Sequence, residues 1–130
     1  KIIKDTSLSI DFASAKKIEM LSSNKKTDEK SDSEGDLQKC KSWTLTNRQI
    51  TDIIRKFKSI SSEEQHLAYS YQPCEITGKM RVDGIEFDYW LSAGSTLVLK
   101  NRDTYLYFAC MDKKCEKLFL SGEDPELLKQ

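Results

Sequence analysis

Cys40, Cys74, Cys110 and Cys115 are the residues of this chain best equipped for covalent chemistry, and their number is even. Four thiols in a small domain allow two disulfides in three connectivities. Cys110 and Cys115 enclose only Met111, Asp112, Lys113 and Lys114, a spacing that suits a bridge across a short turn. If those two pair, Cys40 and Cys74 are left for each other. That second bridge would close a long loop and stabilise the fold by roughly 3–4 kcal/mol on the chain-entropy account. Two rival readings use the same thiols: buried free cysteines, or a zinc site completed by His66. Structural zinc sites usually carry close pairs such as C-x2-C, and this chain has one looser C-x4-C pair. Disulfides are therefore expected, without metal or cofactor, and with them an oxidising compartment.

Other catalytic chemistry is poorly provided for. His66 is the single histidine, so any Ser-His-Asp or Cys-His site must use it. Cys74 with His66 is the one candidate nucleophile and base. Yet Cys74 follows Pro73 at a strand start, where a structural half-cystine is natural. G-x-S-x-G, H-E-x-x-H, G-x-G-x-x-G and the Walker loop are all missing. Glu63-Glu64, or Glu86 with Asp88, would serve a hydrolase only inside a cleft. On an alternating strand, Glu86 and Asp88 read more simply as a solvated outer face. A non-enzymatic binding protein is the expectation.

The elements that must position these residues follow from periodicity. The chain has 130 residues, the size of one domain (residues 1–130), and Lys plus Arg balance Asp plus Glu at 21 each. That balance offers no long-range pull on nucleic acid or anionic membrane. Lys16-Lys17, Lys25-Lys26 and Lys113-Lys114 are isolated pairs, and Tyr105 and Tyr107 fit cross-strand packing better than base stacking. No apolar run approaches the ~20 residues of a membrane span, and no signal peptide is visible. A first residue of Lys1 fits a processed product or a trimmed one.

Ser7 to Phe12 alternate as a half-buried strand does, and Ile18, Met20 and Leu21 continue it or form an irregular edge. Asn24 to Asp36 carry no apolar side chain, which predicts a mobile polar loop over about 24–39. Lys41 to Leu45 read as a short strand. Thr46 and Gln49 then form a capping box before Ile50, Ile53, Ile54 and Phe57, the apolar stripe of the main helix. Ser62 with Gln65 caps a brief helix. From Cys74 the period changes to two: Ile76, Met80 and Val82 share a face with Gly78. Asp83-Gly84 is a type I′ hairpin signal. The return strand turns Ile85, Phe87, Tyr89 and Leu91 inward. Thr96–Lys100, Thr104–Cys110 and Glu116–Leu120 follow as further strands, and the tail from Ser121 frays or adds a helical turn after Pro125. The expected fold is α+β: an antiparallel meander of four to six strands, disulfide-stapled, with one main amphipathic helix packed on it.

One surface feature carries a function. Opposite the inward residues, the hairpin shows Glu86, Asp88, Trp90 and Ser92. A solvent-facing Trp flanked by carboxylates is the composition of an interface hot spot, so Glu86, Asp88 and Trp90 are the candidate partner-binding residues. The plainer alternative buries Trp90 beneath the helix.

The stretch from Trp43 to Leu120 resembles a family of small exported bacterial proteins. The likeness rests on Trp43-x-Leu45-Thr46 leading into a helix, Pro73-Cys74-Glu75-Ile76-x-Gly78, and Val82-Asp83-Gly84-Ile85-x-Phe87. Ala93-Gly94-Ser95, an aromatic strand ending in Cys110, and Cys115-x-x-Leu118-Phe119 complete it. Members look like periplasmic immunity proteins or lipoproteins encoded beside type VI and other polymorphic toxin effectors. The resemblance implies a periplasmic or envelope protein that plugs the active site of a cognate toxin, with a possible lipid anchor and no catalytic residues. The alternative is a structural or accessory envelope protein without a toxin partner.

Overall fold

The structure, a computed structural model, describes residues 8–30, 34–69 and 71–122. It is α+β. Among these residues six antiparallel strands form one sheet: β1 (Ile18–Thr27), β2 (Phe57–Ile60), β3 (Cys74–Val82), β4 (Ile85–Ser92), β5 (Thr96–Asn101) and β6 (Thr104–Cys110). Their order in space is β1-β3-β4-β5-β6-β2. The meander β3 to β6 is the one the alternating pattern foresees. Asp83 and Gly84 turn its first hairpin with φ of 47° and 87°, the left-handed pair a type I′ turn demands. Asp83 also reaches back: its carboxylate accepts from the amides of Lys16 and Lys17 at 2.9 and 2.8 Å, anchoring the lead-in to β1.

Among the described residues four short helices accompany the sheet: α1 (Glu34–Ser42), α2 (Asn47–Ile53), α3 (Ser62–Ala68) and α4 (Lys113–Leu118). Among the described residues no helix is long and apolar enough to cross a membrane. The Thr46–Gln49 capping box opens α2 as expected. The apolar stripe does not stay helical. After Ile53 the chain tightens into a 3₁₀ turn, and Phe57 starts β2 by pairing with Cys110. All four stripe residues are buried even so, because the turn keeps Ile54 and Phe57 on the core side.

Several expectations are corrected. The segment from Leu8 to Phe12 is irregular, not a strand, although Phe12 is buried against Phe108 with ring centroids 4.8 Å apart; Ser7 lies outside the described residues. The polar tract is not one loop. Asn24 to Thr27 continue β1 along β3, and α1 begins at Glu34. An edge strand needs only its backbone paired, and Lys25 works there as a cap, donating to the carbonyls of Cys40 and Lys41 at the end of α1. Lys41 and Ser42 close α1, so no strand leads directly into α2; Trp43 and Leu45 are buried from an irregular segment. The cap of α3 lies one residue earlier than expected, on Ser61 and Glu64. Glu116–Leu120 is not a strand: Asp112 accepts from the Lys114 amide and opens α4. The helix is held by Trp43 Nε1, which donates to the Leu118 carbonyl at 2.8 Å. The α+β arrangement is as expected, with its helical part divided among short helices instead of gathered in one main helix. The tail after Gly122 lies outside the described residues.

The inner face of the sheet is the core. Ile76, Met80 and Val82 of β3, Phe87, Tyr89 and Leu91 of β4, Leu97 and Leu99 of β5 and Phe108 of β6 are all buried there with the α2 stripe. Disulfides join Cys40 to Cys74 and Cys110 to Cys115, with Cα separations of 5.7 and 6.3 Å. The first ties α1 to the start of β3, and the second closes the turn that leads into α4.

Candidate partner-binding face

Strand alternation sends the remaining side chains to the outer face, and the register places them in rows. One row crosses all six strands: Asn24, Thr77, Trp90, Val98, Tyr107 and Ile60 are successive cross-strand partners. Trp90 sits at its centre, half-buried between Thr77 and Val98, and Tyr107 is half-buried beyond. Three adjacent strands therefore present an aromatic–aliphatic–aromatic stripe on the face away from the core. Trp90 does not lie in the main core cluster, so the sheet is not buried equally on both faces.

Beside this stripe runs a ladder of alternating charge. Lys79 Nζ meets Asp88 at 2.7 Å and Glu86 at 4.0 Å, Arg81 meets Glu86 at 3.7 Å and Glu19 at 3.6 Å, and Lys17 meets Glu19 at 3.7 Å. The hydrogen bond that Lys79 donates to Asp88 holds the pKa of its ammonium above the ordinary lysine value. Glu86 and Asp88, expected as free carboxylates beside Trp90, are on the same face but neutralised by neighbouring strands. The arrangement orients polar groups around an apolar centre; it does not make an acidic patch. Farther along, Lys100 Nζ stands 5.5 Å from the ring centroid of exposed Tyr105.

On the other flank the face is partly roofed. Ala68 and Tyr69, at the end of α3, pack over Ala109 and Ile60. Between this roof and the sheet lies a cleft of about 370 Å³ with Glu75, Ser92 and Thr96 on its floor and His66, Tyr69 and Tyr71 on its wall. Burial pushes the Glu75 carboxyl above the usual range, and Lys26, opposite it on β1, offsets this only in part. Sequence reasoning passed over Glu75 as part of a strand; its signal was the parity it shares with Thr77 and Lys79.

The other sequence candidates are separated. Cys74 faces inward in a disulfide, while His66 belongs to the outer cleft, so they do not form a nucleophile and base. All four cysteines are consumed in disulfides, leaving no thiolate for zinc. Two disulfides in a small fold belong to an oxidising compartment. No protein-family model, curated protein or solved structure matches the chain.

Proposed function

We propose that this is a binding protein that occludes a partner protein with the outer face of its sheet, with Trp90 as the central anchor. In its specific form, the partner is a secreted bacterial toxin and this chain is its immunity protein in the periplasm or cell envelope. The observation that carries the reading is the row Trp90–Val98–Tyr107, an apolar stripe framed by fixed, paired charges. Interfaces that bind tightly have this composition: a few aromatic anchors, with polar groups at the rim that exclude water. The neutral charge ladder favours register and specificity over steering, so association should depend weakly on salt.

The test is neutralisation of the toxin encoded beside this gene, together with the affinity of the complex. Capture at low toxin concentration requires a nanomolar Kd, about −12 kcal/mol. Trp90→Ala should weaken binding by ~30-fold or more, the loss of a hot spot of ~2 kcal/mol, while the fold persists. Full neutralisation by a folded Trp90→Ala protein would remove this face from the mechanism. No complex with the adjacent gene product would sink the toxin assignment.

A further inference from the structure

Four carboxylates of the outer sheet face contrast with one another. Glu19, Glu86 and Asp88 are each paired in the charge ladder. Glu75 has neither an ion pair nor a hydrogen bond among the described residues, although it is half-buried on the floor of the cleft under α3. Gln72 lines the same cleft. Its amide nitrogen donates to Ser121 Oγ at 3.0 Å, while its carbonyl oxygen is buried without a donor among the described residues. A carboxylate held half out of water without a partner is costly, so Glu75 marks a place for donors supplied from outside.

The cleft adjoins the apolar row. Ser92 lies two residues from Trp90 on β4, Glu75 two from Thr77 on β3, and Thr96 two from Val98 on β5, each pair on the same face. A chain seated on Trp90 would thus have a neighbouring side chain over the cleft, about 7 Å away by strand geometry.

We propose that this cleft receives an arginine side chain of the partner docked on the Trp90 row, the guanidinium pairing with Glu75. The inference rests on the outer face being the binding face. A guanidinium suits the site because it carries five donors and no acceptor, matches a carboxylate bidentately, and lies flat against tyrosine rings such as Tyr69 and Tyr71. Its charge compensates Glu75, whose other charged or titratable neighbours are Lys26 across β1, His66 on α3, Tyr69 and Tyr71 on the wall, and Asp28, which accepts from Tyr71 Oη.

The experiment needs no partner. The ¹⁵N-labelled, oxidised protein is titrated with Nα-acetyl-arginine amide and, separately, with its uncharged citrulline counterpart. Saturable shifts should gather at Tyr71, Glu75, Ser92 and Thr96. Citrulline, and arginine on Glu75→Gln, should each bind at least ~10-fold more weakly, the loss of a charge-assisted pair. Wild-type affinity should also fall as the pH is lowered through the raised Glu75 pKa, which checks the same contact without a mutation. Equal binding of citrulline, undiminished binding by a folded Glu75→Gln protein, or tighter binding of the free diamine putrescine would each overturn the proposal. Trp90→Ala should leave fragment binding within ~2-fold, a change too small for a lost contact. A failed cleft and a failed Trp90 face are thereby told apart.

Discussion

Gly78 is the position where a single methyl group tests the most of this architecture. It lies on β3 with inward parity, opposite Tyr89 on β4 and Ser23 on β1, beside the irregularity that shifts the β1 register between Met20 and Ser22. A Cβ at Gly78 would stand 2.1 Å from the Ser22 carbonyl oxygen and 2.7 Å from its carbon. These are backbone atoms and cannot rotate away, so Gly78→Ala must push the edge strand outward. Two bonds depend on that placement: Tyr89 Oη donates to the Ser22 carbonyl at 3.1 Å, and the Lys79 amide donates to Ser22 Oγ at 3.1 Å. Losing both costs about 2 kcal/mol, and stranding the Tyr89 hydroxyl in its buried site adds about 1 kcal/mol. An unfolding entropy of about 2.1 cal/mol/K per residue, over this chain's length, turns ~3 kcal/mol into a Tm lowered by ~11 °C. Differential scanning calorimetry of the oxidised protein measures it. Gly35→Ala is the control: nothing lies within 4 Å of its added Cβ, and in α1 the change should stabilise by ~0.5 kcal/mol. A Gly78→Ala protein melting within ~2 °C of the parent would refute the close approach of β1 and β3.

Other expectations bear on staples and titrating groups. Removing the Cys40–Cys74 bridge, whose partners are 34 residues apart, should cost about 3.8 kcal/mol, and removing Cys110–Cys115, 5 apart, about 2 kcal/mol; urea unfolding of the two double-serine variants gives the order, and a reversed order would contradict the loop-entropy account. Burial holds the Tyr89 phenol up to about 12, so absorbance at 295 nm should show a late-ionising tyrosine that Tyr89→Phe removes. With the folded pKa above the unfolded one, its contribution is complete below about pH 10 and is lost as pH rises through about 12; a Tyr89→Phe protein with an identical alkaline stability profile would rule this out. Glu75 also has a raised folded pKa, so at pH 7 its charge costs stability that Glu75→Gln should recover, and the gain should vanish in acid below the ordinary carboxylate pKa. A Tm difference that ignores pH would deny the desolvation of Glu75.

How far the chain could be read depended on where its structure is local. The Asp83-Gly84 turn and the alternation of Ile85, Phe87, Tyr89 and Leu91 specify a hairpin within a few residues, and Thr46 with Gln49 caps its helix by the same kind of short-range contact. Trp90 could be placed outward from parity alone. Asn24 to Thr27 could not be assigned, because nothing in their side chains announces a strand; the pairing is supplied by β3, fifty residues on. Glu116 to Leu120 misled for the opposite reason: a short turn between Cys110 and Cys115 suggested a strand pairing back, while the Asp112 cap and the bond from Trp43 hold a helix. The partners of Glu86 and Asp88 come from β3, and the isolation of Glu75 is visible only once its neighbours on β1 and α3 are in place. A free carboxylate and a paired one look alike in one dimension.

The strand order has a consequence for how the molecule comes into being. β1 and β2 are first in the chain, yet they occupy the two outermost positions of the sheet, one beside β3 and the other beside β6. β1 has no neighbour until β3 is complete at Val82, and β2 none until β6 is complete at Cys110, so a chain emerging amino end first carries both as orphan edges for a time. The β3–β6 meander, with short-range hairpins, is free to organise as soon as it is complete, and the early strands then close onto it from either side. Loop closure of this kind slows folding. Cys40 must likewise wait for Cys74, whereas Cys110 and Cys115 meet almost at once. The topology thus sets template and border against the order of synthesis: the later strands form the middle of the sheet, and the earlier ones its two edges.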